Sequence, residues 1–295
     1  MSEVQNPERL ACALEASGKF RVLRPVPELP TLDDPIGLVG RGMFVDIETT
    51  GIDVARDEIV QIAMVPFAYT ATGIIGVGPA FCEYHEPSIP IPPKVTELTG
   101  ISADTVLFCA INPDNLASRI ADTQLIVAHN AAFDRRFLEA FCPAFATKPW
   151  ACSMSQVPWE SAGFEGVRLA YLLAQAGFFH QAHRADADCH ATLALLARTL
   201  PRHSETAFAI MLRNALAPAL RIWAVGAPYE AKTVLKANGY RWNPGDNGRP
   251  KAWYKDIGVD HSQVETDFLA ANVYLSNRAP LICAITPLDR FSDRV

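Results

Sequence analysis

From residue 41 onward, continuous or alternating apolar runs interleave with stretches in which apolar positions recur every three or four residues. FVDIE (44–48), EIVQIAMVPFAYT (58–70) and IIGVGPAFCEY (74–84) read as three successive strands, with turns in the Gly51 region and at Ala71-Thr72-Gly73. KVTELTG (94–100) suggests a short helix ending at Gly100, and LASRIADT (116–123) a second helix. QLIVAHN (124–130) then reads as a buried strand and AAFDRRFLEAF (131–141) as a helix. Two more helices follow from the period at VRLAYLLAQAG (167–177) and HRADADCHATLALLARTL (183–200). This interleaving predicts an α/β class, a mixed sheet with a hairpin-like start and helices packed on it.

The ends of the chain differ from this body. ERLACALEAS (8–17) has a short helical pattern and FRVLR (20–24) an extended one. Pro25, Pro27, Pro30 and Pro35 then read as a linker, so residues 1–40 are expected to be an N-terminal extension. The body is expected over 41–201 and a connecting helix over 202–217. Residues 218–295 are expected to form a small α+β C-terminal domain. Within it, 227–257 reads as a helix, a strand, an exposed NPGDNGRP turn (243–250) and a returning strand.

Composition narrows the function classes. A net charge of −6 argues against a protein that coats nucleic acid by bulk electrostatics, though not against one that grips a strand end. The seven cysteines are scattered and never form Cys-x-x-Cys. They fit reduced thiols and a cytoplasmic location better than a disulfide framework or a zinc site. The N-terminus has no signal-peptide layout, and no apolar run is long enough for a membrane span.

The candidate chemistry lies in three acidic stretches. In a strand, residues two apart share a face, so Asp46 and Glu48 aim at one spot while Val45 and Ile47 face the opposite layer. Two carboxylates held that close repel, and one takes up a proton unless a cation lies between them. Mg²⁺ or Mn²⁺ suits such oxygen donors. The competing reading is a pair of surface acids at a strand end beside the Thr49-Thr50 turn. In LIVAHNAAFDRRFL (125–138), a strand ends at His129-Asn130 and a helix opens with Asp134 in its first turn, a position that also suits an ordinary helix-start acid. In FFHQAHRADADCHATLALL (178–196), His183 precedes Asp188 by five residues at the start of an amphipathic helix. Helical periodicity alone does not separate Asp188 from Asp186.

Taken in order, FVDIETTG, HNAAFD and HRADAD resemble the three motifs of the DEDDh (DnaQ-like) 3′–5′ exonuclease family, with EIVQIAMV and VTELTGI where that family has accessory stretches. The resemblance spans about residues 41 to 200. It implies an RNase H-like three-layer mixed sheet with the acids at one end, and it selects Asp188 as the last acid. It further implies two divalent ions, Mg²⁺ or Mn²⁺, held by Asp46, Glu48, Asp134 and Asp188, with Asp46 shared between them. His183 is expected to be the general base, with His180 next in line. Thr49, Thr50, Leu98, Asn130 and Phe133 are expected at the substrate. The threonines would hold the terminal sugar, and Leu98 and Phe133 would stack on the last base.

The implied partner is a nucleic-acid 3′ end, with single-stranded DNA expected and a DNA polymerase or repair assembly as the protein partner class. An exoribonuclease of the same chemistry is the nearest rival, and a non-catalytic nucleic-acid-binding subunit is a rival of another class. The presence of all four acids and the histidine weighs against the second rival. In the C-terminal domain, basic residues alternate with Tyr229, Tyr240, Trp242, Trp253 and Tyr254. This pattern suits single-strand binding, with core-forming aromatics as the competing reading.

Overall fold

The computed structural model describes residues 6–32, 40–180, 184–274 and 278–294. Helix α1 (Pro7–Ala16) opens with the Asn6 side chain accepting from the Glu8 amide, and a two-residue strand β1 (Arg24–Pro25) follows. The central sheet is built from β2 (Gly40–Thr49), β3 (Ile59–Thr70), β4 (Gly73–Val77), β5 (Phe81–Tyr84), β6 (Leu125–Ala128) and β7 (Trp150–Cys152). Its order is β4-β3-β2-β6-β7, with β5 also on β3. The β2–β3 and β3–β4 pairs are antiparallel, and β2–β6 and β6–β7 are parallel.

Helices α2 (Pro93–Thr99), α3 (Ala103–Val106), α4 (Pro113–Ile120), α5 (Ala131–Phe141), α6 (Leu169–Gln175), α7 (Ala185–Leu196) and α8 (Ala207–Leu216) complete the body. The short strand β8 (Phe178–Phe179) lies between α6 and α7 and pairs in parallel with β1.

The strand alternation builds two cores. Phe44, Val65, Leu125 and Val127 pack with α7 and α8 residues on one face. Met43, Val45, Ile47, Met64 and Ile126 pack with α4 and α5 residues on the other, giving three layers. The even residues of β2 therefore point to the α7 side, which aims Asp46 and Glu48 there. The segment expected to be a connecting helix contains α8, which belongs to the first core; the Phe208 ring meets Phe67 edge-on at 5.7 Å.

Two sequence expectations change here. The strand expected over 74–84 is two strands, because Gly78-Pro79-Ala80 interrupts the ladder and proline has no N–H to give. The expected linker is not free over its described part: the Val77 amide donates to Pro30 O and the Leu32 amide to Val77 O, so 30–32 runs along β4. Pro35 lies outside the described residues.

The C-terminal sheet contains β9 (Ala219–Ala224), β10 (Arg241–Asn243), β11 (Ala252–Gly258) and β12 (Leu281–Ile285). It is antiparallel throughout, in the order β10-β11-β9-β12. β9 and β12 are additions to the helix-strand-strand reading. Helices α9 (Lys232–Ala237) and α10 (Ser262–Leu269) cover one face over Ile222, Leu235, Tyr240 and Leu269. The tail beyond β12 returns to the body. The fully buried Arg135 of α5 donates to Arg290 O at 2.6 Å, to Pro287 O at 3.5 Å and to Leu288 O. Arg290 in turn donates to the carbonyls of Asn214 at 2.6 Å, Ala215 at 3.2 Å and Ala217 at 2.9 Å, placing a cation at the C-terminal end of α8. Among the described residues no helix is long and apolar enough to cross a membrane.

Candidate active site

Three elements bring the acids to one end of the central sheet. Asp46 and Glu48 stand near the end of β2, where the pairing register with β3 shifts between Glu48 and Thr49. Such an irregularity re-aims side chains at a strand end. Asp188 comes from the first turn of α7. One carboxylate oxygen each from Asp46, Glu48 and Asp188 lie within 4.8 Å of one another. Asp134, in the first turn of α5, is buried close enough to both β2 acids to raise or be raised by their charge. The arrangement takes in Asp188 and leaves out Asp186, whose carboxylate lies 3.6 Å from Arg184 Nε.

Crowding shapes the electrostatics. Burial, followed by the charges of Asp134, Asp188 and Glu48, holds the Asp46 carboxyl well above the usual range. Burial and then Asp188 push Glu48 up to about 7. Asp134 is pushed up to about 7, mainly by burial, against the pull of its own and the Ile47 backbone amides. Among the described residues no lysine or arginine forms an ion pair with Asp46, Glu48 or Asp134. Hard oxygen donors at this spacing, crowded and short of cationic side chains, fit a divalent ion, which would hold all of them ionised.

Of the histidines, His183 lies outside the described residues. His180, just after β8, places Nε2 2.5 Å from Asp188 Oδ1. Nothing in the spacing of the sequence signals that contact, because it depends on how the chain turns between β8 and α7. His129 is engaged on both ring nitrogens, Nδ1 with Ser153 Oγ at 2.9 Å and Nε2 with Val167 O at 2.8 Å; burial lowers its pKa.

The residues expected at the substrate fall into two groups. Thr49 and Thr50 are buried in the turn after β2. The Thr49 hydroxyl donates to Gly51 O at 2.5 Å. Thr50 Oγ1 donates to Asp57 at 3.2 Å and accepts from the Glu58 amide at 3.0 Å. Asp57, absent from the residues picked out above, packs so closely on Gly51 that a Cβ there would lie 2.4 Å from its Oδ2, so any side chain at 51 would have to displace the Asp57 carboxylate from Thr50 and the Asp53 amide. Leu98 is exposed on α2, and Asn130 is exposed at the start of α5. Phe133 is half-buried with its ring tilted against Phe137, centroids 5.0 Å apart.

Residues 43–196 match the family model described as Exonuclease. The DNA polymerase III subunit epsilon of Treponema pallidum is 32% identical over 171 residues, covering 54% of this chain and 76% of that protein. The 3′-5′ exonuclease DinG of Bacillus subtilis is 30% identical over 162 residues, covering 52% of this chain but 17% of that protein. The DNA polymerase III PolC-type of Thermotoga maritima is 32% identical over 135 residues, covering 43% of this chain and 8% of the relative. Among solved structures, Exonuclease X in complex with 5′ overhanging duplex DNA aligns with a TM-score of 0.44 at 24% identity, covering 59% of this chain and 99% of that one. Escherichia coli Exonuclease I in complex with a dA16 oligonucleotide aligns with a TM-score of 0.49 at 18% identity, over 84% and 63% of the two chains.

Proposed function

Because the chain belongs to the DnaQ-like 3′–5′ exonuclease family, we propose that it removes nucleotides one at a time from the 3′ end of DNA and releases 5′-nucleoside monophosphates. The observation that carries this reading is the meeting of Asp46, Glu48 and Asp188 within 4.8 Å beside the buried Asp134. Those four carboxylates would hold two divalent ions, Mg²⁺ or Mn²⁺. Bound there, the ions would supply polarisation of the scissile phosphate and acidification of a water. Asp46, the most crowded of the four, is the residue both ions would share. His180 holds Asp188 by its 2.5 Å contact and fixes which carboxylate oxygen is offered to the site. His183 is assigned the removal of a proton from the attacking water, since a neutral imidazole is available near pH 7.

At the strand end, the Thr49 hydroxyl already donates to Gly51 O and so presents lone pairs, which suits a terminal sugar hydroxyl. Thr50 is bound into the turn and supports it. Phe133 and Leu98 are assigned the apolar surface for the last base, and stacking of that kind is indifferent to base identity. The chemistry is thus assigned to residues 41–201, with 218–295 as an appended unit. The names of the epsilon, DinG and PolC-type relatives favour DNA over RNA. They also make a DNA polymerase the partner class to seek by co-purification.

Offering the protein matched 5′-labelled single strands of DNA and RNA with Mg²⁺, and separating the products by chromatography, tests the assignment. Nucleoside 5′-monophosphates arising faster from DNA are expected. Release from RNA alone replaces the substrate, and internal fragments overturn the exonuclease polarity.

A further inference from the structure

The basic and aromatic residues interleaved over 227–257 divide, in three dimensions, into two sets. One set is internal. Tyr240 is buried and donates to Glu265 Oε1 at 2.8 Å, and Lys255 reaches Glu265 Oε2 at 2.6 Å. Arg221 chelates Asp256 at 2.6 and 2.8 Å with its guanidinium 4.5 Å from the Tyr254 ring centroid. The cleft of about 470 Å³ between this face and α5 sets Arg136, Arg221 and Arg241 against Asp246, Asp256 and Asp293, so its charged lining balances.

The other set faces solvent on the opposite side of the unit. Trp242 is 48% exposed and meets its cross-strand neighbour Trp253 edge-on at 5.5 Å. Lys236 Nζ lies 5.9 Å from the Trp253 centroid, and Lys232 stands one helical turn before it on α9. Lys232 Nζ lies 4.2 Å from the centroid of Tyr229, which is 74% exposed. Contacts and helical spacing together set Tyr229, Lys232, Lys236, Trp253 and Trp242 in one stripe, with two ammonium groups between a tyrosine ring at one end and a pair of indoles at the other. The stripe itself contains no carboxylate; Glu230, exposed in the turn before α9, is the adjacent acid. Residues 227–257 hold six Lys/Arg and three Asp/Glu in a chain whose net charge is −6, so the positive charge is concentrated here against the overall sign.

We propose that this stripe is a second nucleic-acid contact, binding single-stranded DNA away from the acidic site by base stacking on Trp242 and Tyr229 and phosphate pairing with Lys232 and Lys236. An exposed ring offers any base a π-face, and lysines spaced between rings track the phosphates. The proposal rests on the exonuclease reading for the identity of its ligand. In the working enzyme the stripe would retain the strand between successive cuts.

Its test is fluorescence anisotropy of a labelled oligothymidylate titrated with the full chain in EDTA, across a salt series. Trp242→Ala is expected to weaken binding about tenfold, within the range for losing one base–aromatic stack. The double variant Lys232→Ala/Lys236→Ala is expected to reduce the slope of log affinity against log salt by about 1.4, two phosphate contacts' worth. Tyr229→Ala, at a side chain 74% exposed, guards against a folding artefact at Trp242. With Mg²⁺, all three variants should hydrolyse the small chromogenic ester thymidine 5′-(p-nitrophenyl phosphate) like the parent. Unchanged affinity and salt slope in all three variants overturns the stripe, as does equal displacement of the oligonucleotide by poly-glutamate. A parent protein that cuts neither ester nor oligonucleotide counts instead against the exonuclease reading, and binding alone then decides the stripe.

Discussion

At the residue scale, the site is governed by carboxylates that repel one another. With no cation between them, burial and neighbouring charge push Glu48 and Asp134 up to about 7 from their ordinary values of 4.5 and 3.8. A carboxyl raised in the folded state favours folding while it is protonated. That advantage is complete below the ordinary value and disappears as the pH rises from there to about 7. Stability in EDTA should therefore fall between about pH 4 and pH 7, by an amount on the order of 3 kcal/mol for the interacting cluster. Added Mg²⁺ should restore more of it at pH 8 than at pH 5, which thermal melts can read; a flat EDTA profile would remove the crowding argument. By the same logic Asp46→Asn should abolish cleavage and yet raise the melting temperature in EDTA at pH 8. A lower melting temperature in that variant would mean that Asp46 is a structural residue. The strand period alone made Asp46 and Glu48 legible as a pair. It could not choose between Asp186 and Asp188, both in the first turn of α7, nor show His180 against Asp188.

At the element scale, the strands and helices of the body were legible because their apolar periods are long and are bounded by glycine or polar turns. The failures have local causes. β9 and β12 lack a clean alternation of buried and exposed positions, and each is defined by the partner it pairs with in the sheet. Proline-rich residues 25–32 read as a linker because propensity counts missing N–H donors, yet Pro30 keeps a carbonyl for Val77 to use. That segment lies against the site, since β1 pairs with β8 and His180 follows β8 directly. A chain starting at residue 33 would lose the packing of Val26 and Leu29 on the core. Part-burial of two such side chains stabilises by about 2 kcal/mol. The truncated protein should melt roughly 4–8 °C lower and lose activity more than the heat shift alone explains. Full activity at low temperature would separate the N-terminal segment from the site.

At the scale of the whole molecule, the tail after β12 locks the C-terminal sheet to the body through Arg135, the neighbour in sequence of Asp134. Arg135 also pairs with Glu139 at 2.5 Å within α5, and burial lowers its pKa. Replacing it by methionine takes the side-chain donor from the Arg290 and Pro287 carbonyls and leaves Glu139 and Leu288 O to Arg294 alone, a kind of change that costs about 1–3 kcal/mol. Urea unfolding of Arg135→Met should show that loss, together with a detached C-terminal sheet at denaturant levels where the body remains folded. A single unchanged transition would mean that the tail carries no such load. Nothing in the sequence announced this lock, because one of two adjacent arginines in a helix has no assigned partner until the carbonyls it serves are in place.

The central claim is that Asp46, Glu48, Asp134 and Asp188 together hold the ions that cut a strand from its 3′ end. The most direct measurement sets the parent protein beside Asp46→Ala on 5′-labelled single-stranded DNA, each with Mg²⁺ and with EDTA. A ladder of 3′-shortened products is expected from the parent with Mg²⁺ and none in the other three reactions. A ladder that survives EDTA or the substitution, or no ladder from the parent with Mg²⁺, would contradict the claim.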